Sequence, residues 1–254
     1  MCSSDLPMGQ QPTAYRSAVP ELAPYLEGVE GWLTDEEAET LYTLARQVTG
    51  RGVIVEIGSF KGRSTVCLGL GSRAGAGVTI YAIDPGHRGP RRSEEFAANV
   101  ARAGVSDLVI PIAATSDEAY RTFEPEQIEL LFIDGSHDYP QVMMDFAQWT
   151  SRLVDGGMLV MHDTTAASPG SKKVAEDSMY RSRQYRNVRF VYSSMTVGQK
   201  VAENTAGERA RNLASLGVKR GFDGLVRVRS HIPDGMRTAG RRGLKIVQRG
   251  PGRA

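Results

Sequence analysis

Cysteine is scarce. Two residues in 254, Cys2 and Cys67, are too few and too scattered for a disulfide framework, so the fold must be held by its core. Cys67 falls on the apolar face of a helix-like stretch and is expected to be a buried, inert thiol. Long apolar runs are missing too: nothing approaches the roughly 20 residues that cross a bilayer, and no membrane span is expected. The start, Met1-Cys-Ser-Ser-Asp, lacks a basic region followed by an apolar run, so no secretory signal is expected and a reducing cytoplasm fits.

What is present suits one α/β unit. The apolar content is 41%, enough for a single substantial core. The net charge of +2 conceals an asymmetry. Residues 202–254 hold 12 Lys/Arg against 4 Asp/Glu, or +8, which leaves 19 against 25, or −6, for residues 1–201. Residues 1–30 are weakly periodic and read as an arm, 31–201 as the domain, and 202–254 as a basic extension. A disordered or loosely packed tail, contact with an acidic partner or a membrane surface, and homo-oligomer formation all fit that extension. Its few aromatics argue against base stacking, and no nucleic-acid partner is expected.

Thr34 followed by Asp-Glu-Glu37 is a capping box, and Leu41, Leu44, Ala45 and Val48 recur at helical spacing up to Gly50. Beyond it, apolar runs of strand length alternate with helical stretches. The runs are Val53–Ile57, Thr79–Ile83, Leu108–Ile112, Leu130–Ile133 and Met158–Met161. Between them lie Ser64–Leu70, Glu94–Ala103, Asp117–Phe123 and Gln141–Leu153. Near-continuous Val/Ile/Leu strands separated by helices predict a parallel sheet covered on both faces. Val188–Tyr192 and Thr196–Val201 are close enough to add an antiparallel pair.

The tract Glu56-Ile-Gly-Ser-Phe-Lys-Gly62-Arg-Ser-Thr65 joins the first strand to a helix through a glycine turn, a place for a polar, nucleoside-bearing cofactor. A dinucleotide fold would show G-x-G-x-x-G there, but Ser59 and Phe60 fill the middle. Glu56 opposes a pyrophosphate and suits a ligand bearing an amine or a sulfonium. No catalytic Tyr-x-x-x-Lys accompanies the tract, so an NAD-dependent oxidoreductase is the weaker alternative. At this point the chain resembles the class I S-adenosylmethionine-dependent methyltransferases, over about residues 27–201. The pattern E-x-G-x-x-x-G-x-S is most similar to the catechol-type and natural-product O-methyltransferase branch. That resemblance implies a single Rossmann-like α/β domain with a seven-stranded, mostly parallel sheet ending in an antiparallel hairpin. It also implies S-adenosylmethionine as cofactor.

Ligands of open α/β sheets bind outside the carboxyl ends of the strands. The first strand delivers Glu56, Gly58, Ser59, Gly62, Ser64 and Thr65; the second delivers Asp84, where an acid can hold a ribose. The third ends in Thr115-Ser116, which by position edges the adenine in the resembling family and otherwise reads as a helix cap. Strand four ends in Asp134 with His137 three residues on, and strand five in His162-Asp163. Two carboxylates on adjacent strands call for a cation, and a hard one such as Mg²⁺ suits oxygen ligands. The resemblance implies that Asp134, His162 and Asp163 bind the metal, that Asp134 also serves the cofactor, and that His137 is the base. An imidazole at 162 departs from the family pattern: it either ligates a softer ion or bonds to the ligands from behind. Without the Asn/Asp-Pro-Pro-Tyr tetrapeptide of base-amine methyltransferases, a small-molecule hydroxyl is the expected acceptor, of sugar or natural-product type. A metal-independent N- or O-methyltransferase is the alternative.

Overall fold

The computed structural model describes residues 22–230, apart from 126 and 192–193, with the side chains of 225–230 also outside the description. A short helix α1 (Ala23–Leu26) leads to α2 (Asp35–Gln47), whose start is the expected capping box: the Glu37 N–H bonds Thr34 Oγ1 and the Glu37 carboxylate returns to the Thr34 N–H. Five parallel strands follow: β1 (Val53–Ile57), β2 (Ile80–Ile83), β3 (Val109–Ile112), β4 (Ile128–Ile133) and β5 (Leu153–Met161). Between them run α3 (Arg63–Ala74), α4 (Pro90–Arg102), α5 (Ser116–Thr122) and α6 (Tyr139–Thr150). After β5 come α7 (Pro169–Ala175), a π turn (Glu176–Tyr180), and the antiparallel strands β6 (Tyr185–Val191) and β7 (Met195–Lys200). Helix α8 (Ala206–Ser230) closes the described chain.

The seven strands are ordered β3-β2-β1-β4-β5-β7-β6. Their side chains alternate between two apolar layers. Ile54, Leu130, Phe132 and Val160 meet α2 and α3 through Leu41, Val66 and Leu68 on one face. Val55, Leu131, Ile133 and Leu159 meet Phe146, Trp149, Val174 and Leu216 of α6, α7 and α8 on the other. A sheet buried on both faces explains why its strands read as unbroken apolar runs. The strand order reverses between β1 and β4, and the carboxyl ends there open a crevice.

Three stretches differ from the sequence expectation. The arm is packed where it is described, with Leu22, Leu26 and Val29 buried. Residues 151–153 of the expected helix belong to a turn and to the start of β5, which begins at Leu153 rather than Met158 and takes in Gly156 at a positive φ of 83°. The basic extension is not loose from 206 to 224. There α8 lies against β6, with Asn212, Leu216, Lys219 and Asp223 buried on one face. Its remaining residues, 231–254, lie outside the described part, as does Tyr192 of the expected sixth strand.

Candidate active site

A cavity of about 780 Å³ opens at the carboxyl ends of β1 to β5. Its wall carries Gly58, Asp84, Thr115, Ser116, Asp134, His137, His162 and Asp163 of the residues expected from sequence. Glu56, Ser59, Gly62, Ser64 and Thr65 are not in the wall; all five are buried in or beneath the turn, and Gly62 caps α3 at φ 87°.

Beneath the turn, Glu56 is fully buried and accepts a 2.5 Å hydrogen bond from Thr65 Oγ1. Burial pushes its carboxyl up to about 7, against the pull of Ser64 and Thr65, and the nearby Asp134 and Asp84 add to the rise. Gly58 sits at φ 90°, and a Cβ there would run into the Asp134 carbonyl, so the ends of β1 and β4 approach as closely as they do only through glycine. Phe60 is a non-glycine residue at φ 44°, held by its N–H on Asp84 Oδ2 at 2.8 Å. Asp84 Oδ1 accepts the Gly86 N–H at 2.6 Å, so both carboxylate oxygens are oriented by backbone while facing the cavity. Over the rim, the exposed Trp32 ring lies 5.2 Å from that of Phe60.

The acid and imidazole cluster lies where β4 and β5 end side by side, with Ile133 paired to Met161. His137 is half exposed, and its Nε2 is 2.8 Å from Asp163 Oδ2. The buried His162 lies among three acids: Nδ1 is 3.1 Å from Asp134 Oδ1 and 3.5 Å from Asp163 Oδ2, and Nε2 is 3.1 Å from Ser194 Oγ and 3.5 Å from Glu37 Oε2. Burial alone would lower the His162 pKa. The carboxylates of Asp134, Asp163 and Glu37 outweigh it and raise the imidazole to about 12, making it an imidazolium at neutral pH. Burial raises Asp134 despite His162. Asp163 is held below the usual carboxylate range because His162 and His137 together overcome its burial.

The donor set fits a divalent cation. One ligand atom from each of Asp134, His162 and Asp163 falls within 4.8 Å of the others. His162 Nδ1 lies at ion-pair distance from both carboxylates. Asp134 Oδ2 and Asp163 Oδ1 are then the oxygens left for a hard cation.

The comparisons with known proteins agree with this geometry. A family described as a methyltransferase domain matches residues 55–164, from β1 to just past Asp163. Over that stretch the chain is similar to methyltransferase domains. It is 26% identical over 143 residues to the catechol O-methyltransferase of Mycobacterium tuberculosis, covering 56% of this chain and 61% of that enzyme. Among solved structures, the O-methyltransferase NovP superposes with a TM-score of 0.56 at 17% identity, covering 66% of this chain and 81% of NovP. TomG of Streptomyces achromogenes, an O-methyltransferase of tomaymycin synthesis solved with S-adenosylmethionine, gives 0.56 at 17% identity over 72% and 90%.

Three residues at or behind the cavity wall carry no sequence motif. Glu37, fully buried, takes the Ser194 N–H and Oγ–H, both at 2.9 Å, and so links α2 to His162. Asp145 and Gln141 reach the wall from α6 at a helical spacing of four, which is the one local signal they leave.

Proposed function

We propose that this chain is an S-adenosylmethionine-dependent O-methyltransferase that acts on a hydroxyl of a small molecule, of sugar or natural-product type. The observation that carries the reading is the pairing of His137 Nε2 with Asp163 at 2.8 Å, on the cavity wall beside Asp134. The O-methyltransferases among the relatives support it by their chemistry.

Gly58 and the oriented Asp84 line the part of the cavity suited to the cofactor's amino-acid and ribose portions. The acceptor hydroxyl approaches His137 from the mouth. With Nε2–H held by Asp163, His137 Nδ1 is free to take the hydroxyl proton, and Asp163 stabilises the imidazolium that forms. S-adenosylmethionine, held there, would supply the methyl group to that oxygen, its sulfonium taking back the carbon–sulfur electron pair as a neutral thioether. A divalent cation on Asp134 and Asp163, when bound, supplies positive charge that favours the deprotonated hydroxyl.

A metal-independent methyltransferase is the second reading, favoured by the His162 imidazolium already lying between the two carboxylates. Incubation with labelled S-adenosylmethionine and a panel of hydroxylated sugars, catechols and polyketide-type acceptors, followed by mass spectrometry, tests the activity. Methyl ethers should form, chelator should abolish turnover, and Mg²⁺ or Mn²⁺ should restore it. Full turnover in excess chelator selects the second reading, and a product methylated on nitrogen overturns the O-methyltransferase assignment.

A further inference from the structure

Phe60, at φ 44°, is held in the left-handed region from both of its backbone groups. Its N–H donates to Asp84 Oδ2 at 2.8 Å, and its carbonyl accepts from His87 Nε2 at 2.9 Å. Both partners come from one short 3₁₀ turn, Pro85–Arg88, which Asp84 caps. A bulky residue keeps such a backbone only where its surroundings over-determine it, and such positions gather at ligand sites. The acid that faces the cavity and the imidazole behind it thus act on the same residue.

His87 is not in the cavity wall. It is 6% exposed, and its ring lies 4.4 Å from that of Phe96, which in turn packs against Gly62 at the other end of the glycine turn. A carbonyl only accepts, so Nε2 carries the ring proton. Nδ1 is buried with no hydrogen-bond partner among the described residues. An apolar side chain would pack on Phe96 without burying that nitrogen, so what the histidine adds is its Nε2–H. We propose that His87 is a positioning residue of the cofactor site. Its bond to the Phe60 carbonyl fixes the left-handed backbone that aims the Phe60 N–H at Asp84, and so orients the Asp84 carboxylate for the cofactor's ribose. The same bond places the Phe60 ring under Trp32 at the mouth. This rests on the S-adenosylmethionine reading above.

Titration calorimetry with S-adenosylhomocysteine tests the inference without an acceptor. His87→Leu keeps an apolar contact with Phe96 and removes the donor. His87→Gln puts an amide N–H at the reach of Nε2 and packs less well, while the amide of His87→Asn stops short of the carbonyl. The Gln variant should bind like the wild type, and the Leu and Asn variants about three- to tenfold more weakly, the span of one neutral hydrogen bond. The emission of Trp32 in the unliganded protein should shift in the Leu and Asn variants and not in the Gln variant. The reverse order, with Leu at wild-type affinity and Gln weakened, would mean that the ring serves packing alone and overturns the proposal, as does equal affinity throughout. Should His87→Leu fail to fold by circular dichroism, the contrast between Gln and Asn decides. No binding by the wild type instead brings down the cofactor reading, and the inference with it.

Discussion

His137 and His162 lie against the same carboxylate and have opposite surroundings. His137 is half exposed, with one nitrogen on Asp163; His162 is enclosed by three acids and Ser194. His137 is the more open of the two toward the cavity mouth, and the base role proposed above falls to it. His137→Ala should therefore lose about 10²–10⁴-fold in turnover, the usual weight of general acid–base catalysis. Calorimetry should show its affinity for S-adenosylhomocysteine nearly unchanged, because no cofactor contact is removed. Residues such as Asp134, His137, His162 and Asp163 were legible because each stands at or just past the end of an apolar run, and strand ends converge in an open sheet. Glu37 was legible only as a helix cap. It fills that role and also reaches Ser194, 157 positions away, a contact that no local pattern encodes.

At the scale of elements, the five parallel strands and the first helix were legible from their period and caps, and α8 was not. Its buried face runs Asn212, Leu216, Lys219, Asp223, at steps of four, three and four, so the spacing is helical but three of the four residues are polar. Gly217, Gly221 and Gly224 lower its intrinsic propensity further. A capping box of Thr205 and Glu208 did mark its start. The polar face has work to do on β6, where Asn187 at φ 52° accompanies a break in register between Arg186 and Arg189. Asn212 Oδ1 accepts the Val188 N–H at 3.0 Å, and Asn212 Nδ2 donates to the Tyr185 carbonyl at 2.8 Å. Asn212→Leu strands that buried N–H, and urea unfolding should show a loss of about 1–3 kcal/mol. Lys219, fully buried, bonds the Thr164 carbonyl next to Asp163, so α8 is also tied to the end of the active-site strand.

The whole molecule responds to pH through Glu56, whose native pKa of about 7 stands above its ordinary value of 4.5. The folded state holds that proton more tightly than the unfolded chain. The stability it contributes is fully present below pH 4.5 and is lost as pH rises through 7. The stability difference between wild type and Glu56→Gln should therefore change by about 3 kcal/mol across that interval, at 1.36 kcal/mol per pKa unit, and be flat above it. Chemical denaturation of both proteins at pH 5, 6, 7 and 8 measures it, and a constant difference would refute a native carboxyl raised by burial.

The rim pair of Trp32 and Phe60 makes the protein its own optical reporter. The chain has two tryptophans. Trp149 is 0% exposed between α6 and the sheet, and Trp32 is 75% exposed at the cavity mouth, so their emission separates into a short-wavelength and a long-wavelength component. Occupation of the cavity should quench or blue-shift the long-wavelength component alone, while Trp32→Phe should leave a spectrum indifferent to S-adenosylhomocysteine. Because Phe60 hangs by its N–H from Asp84, that glow should also register whether the Asp84 carboxylate is engaged by a ligand, without label or acceptor.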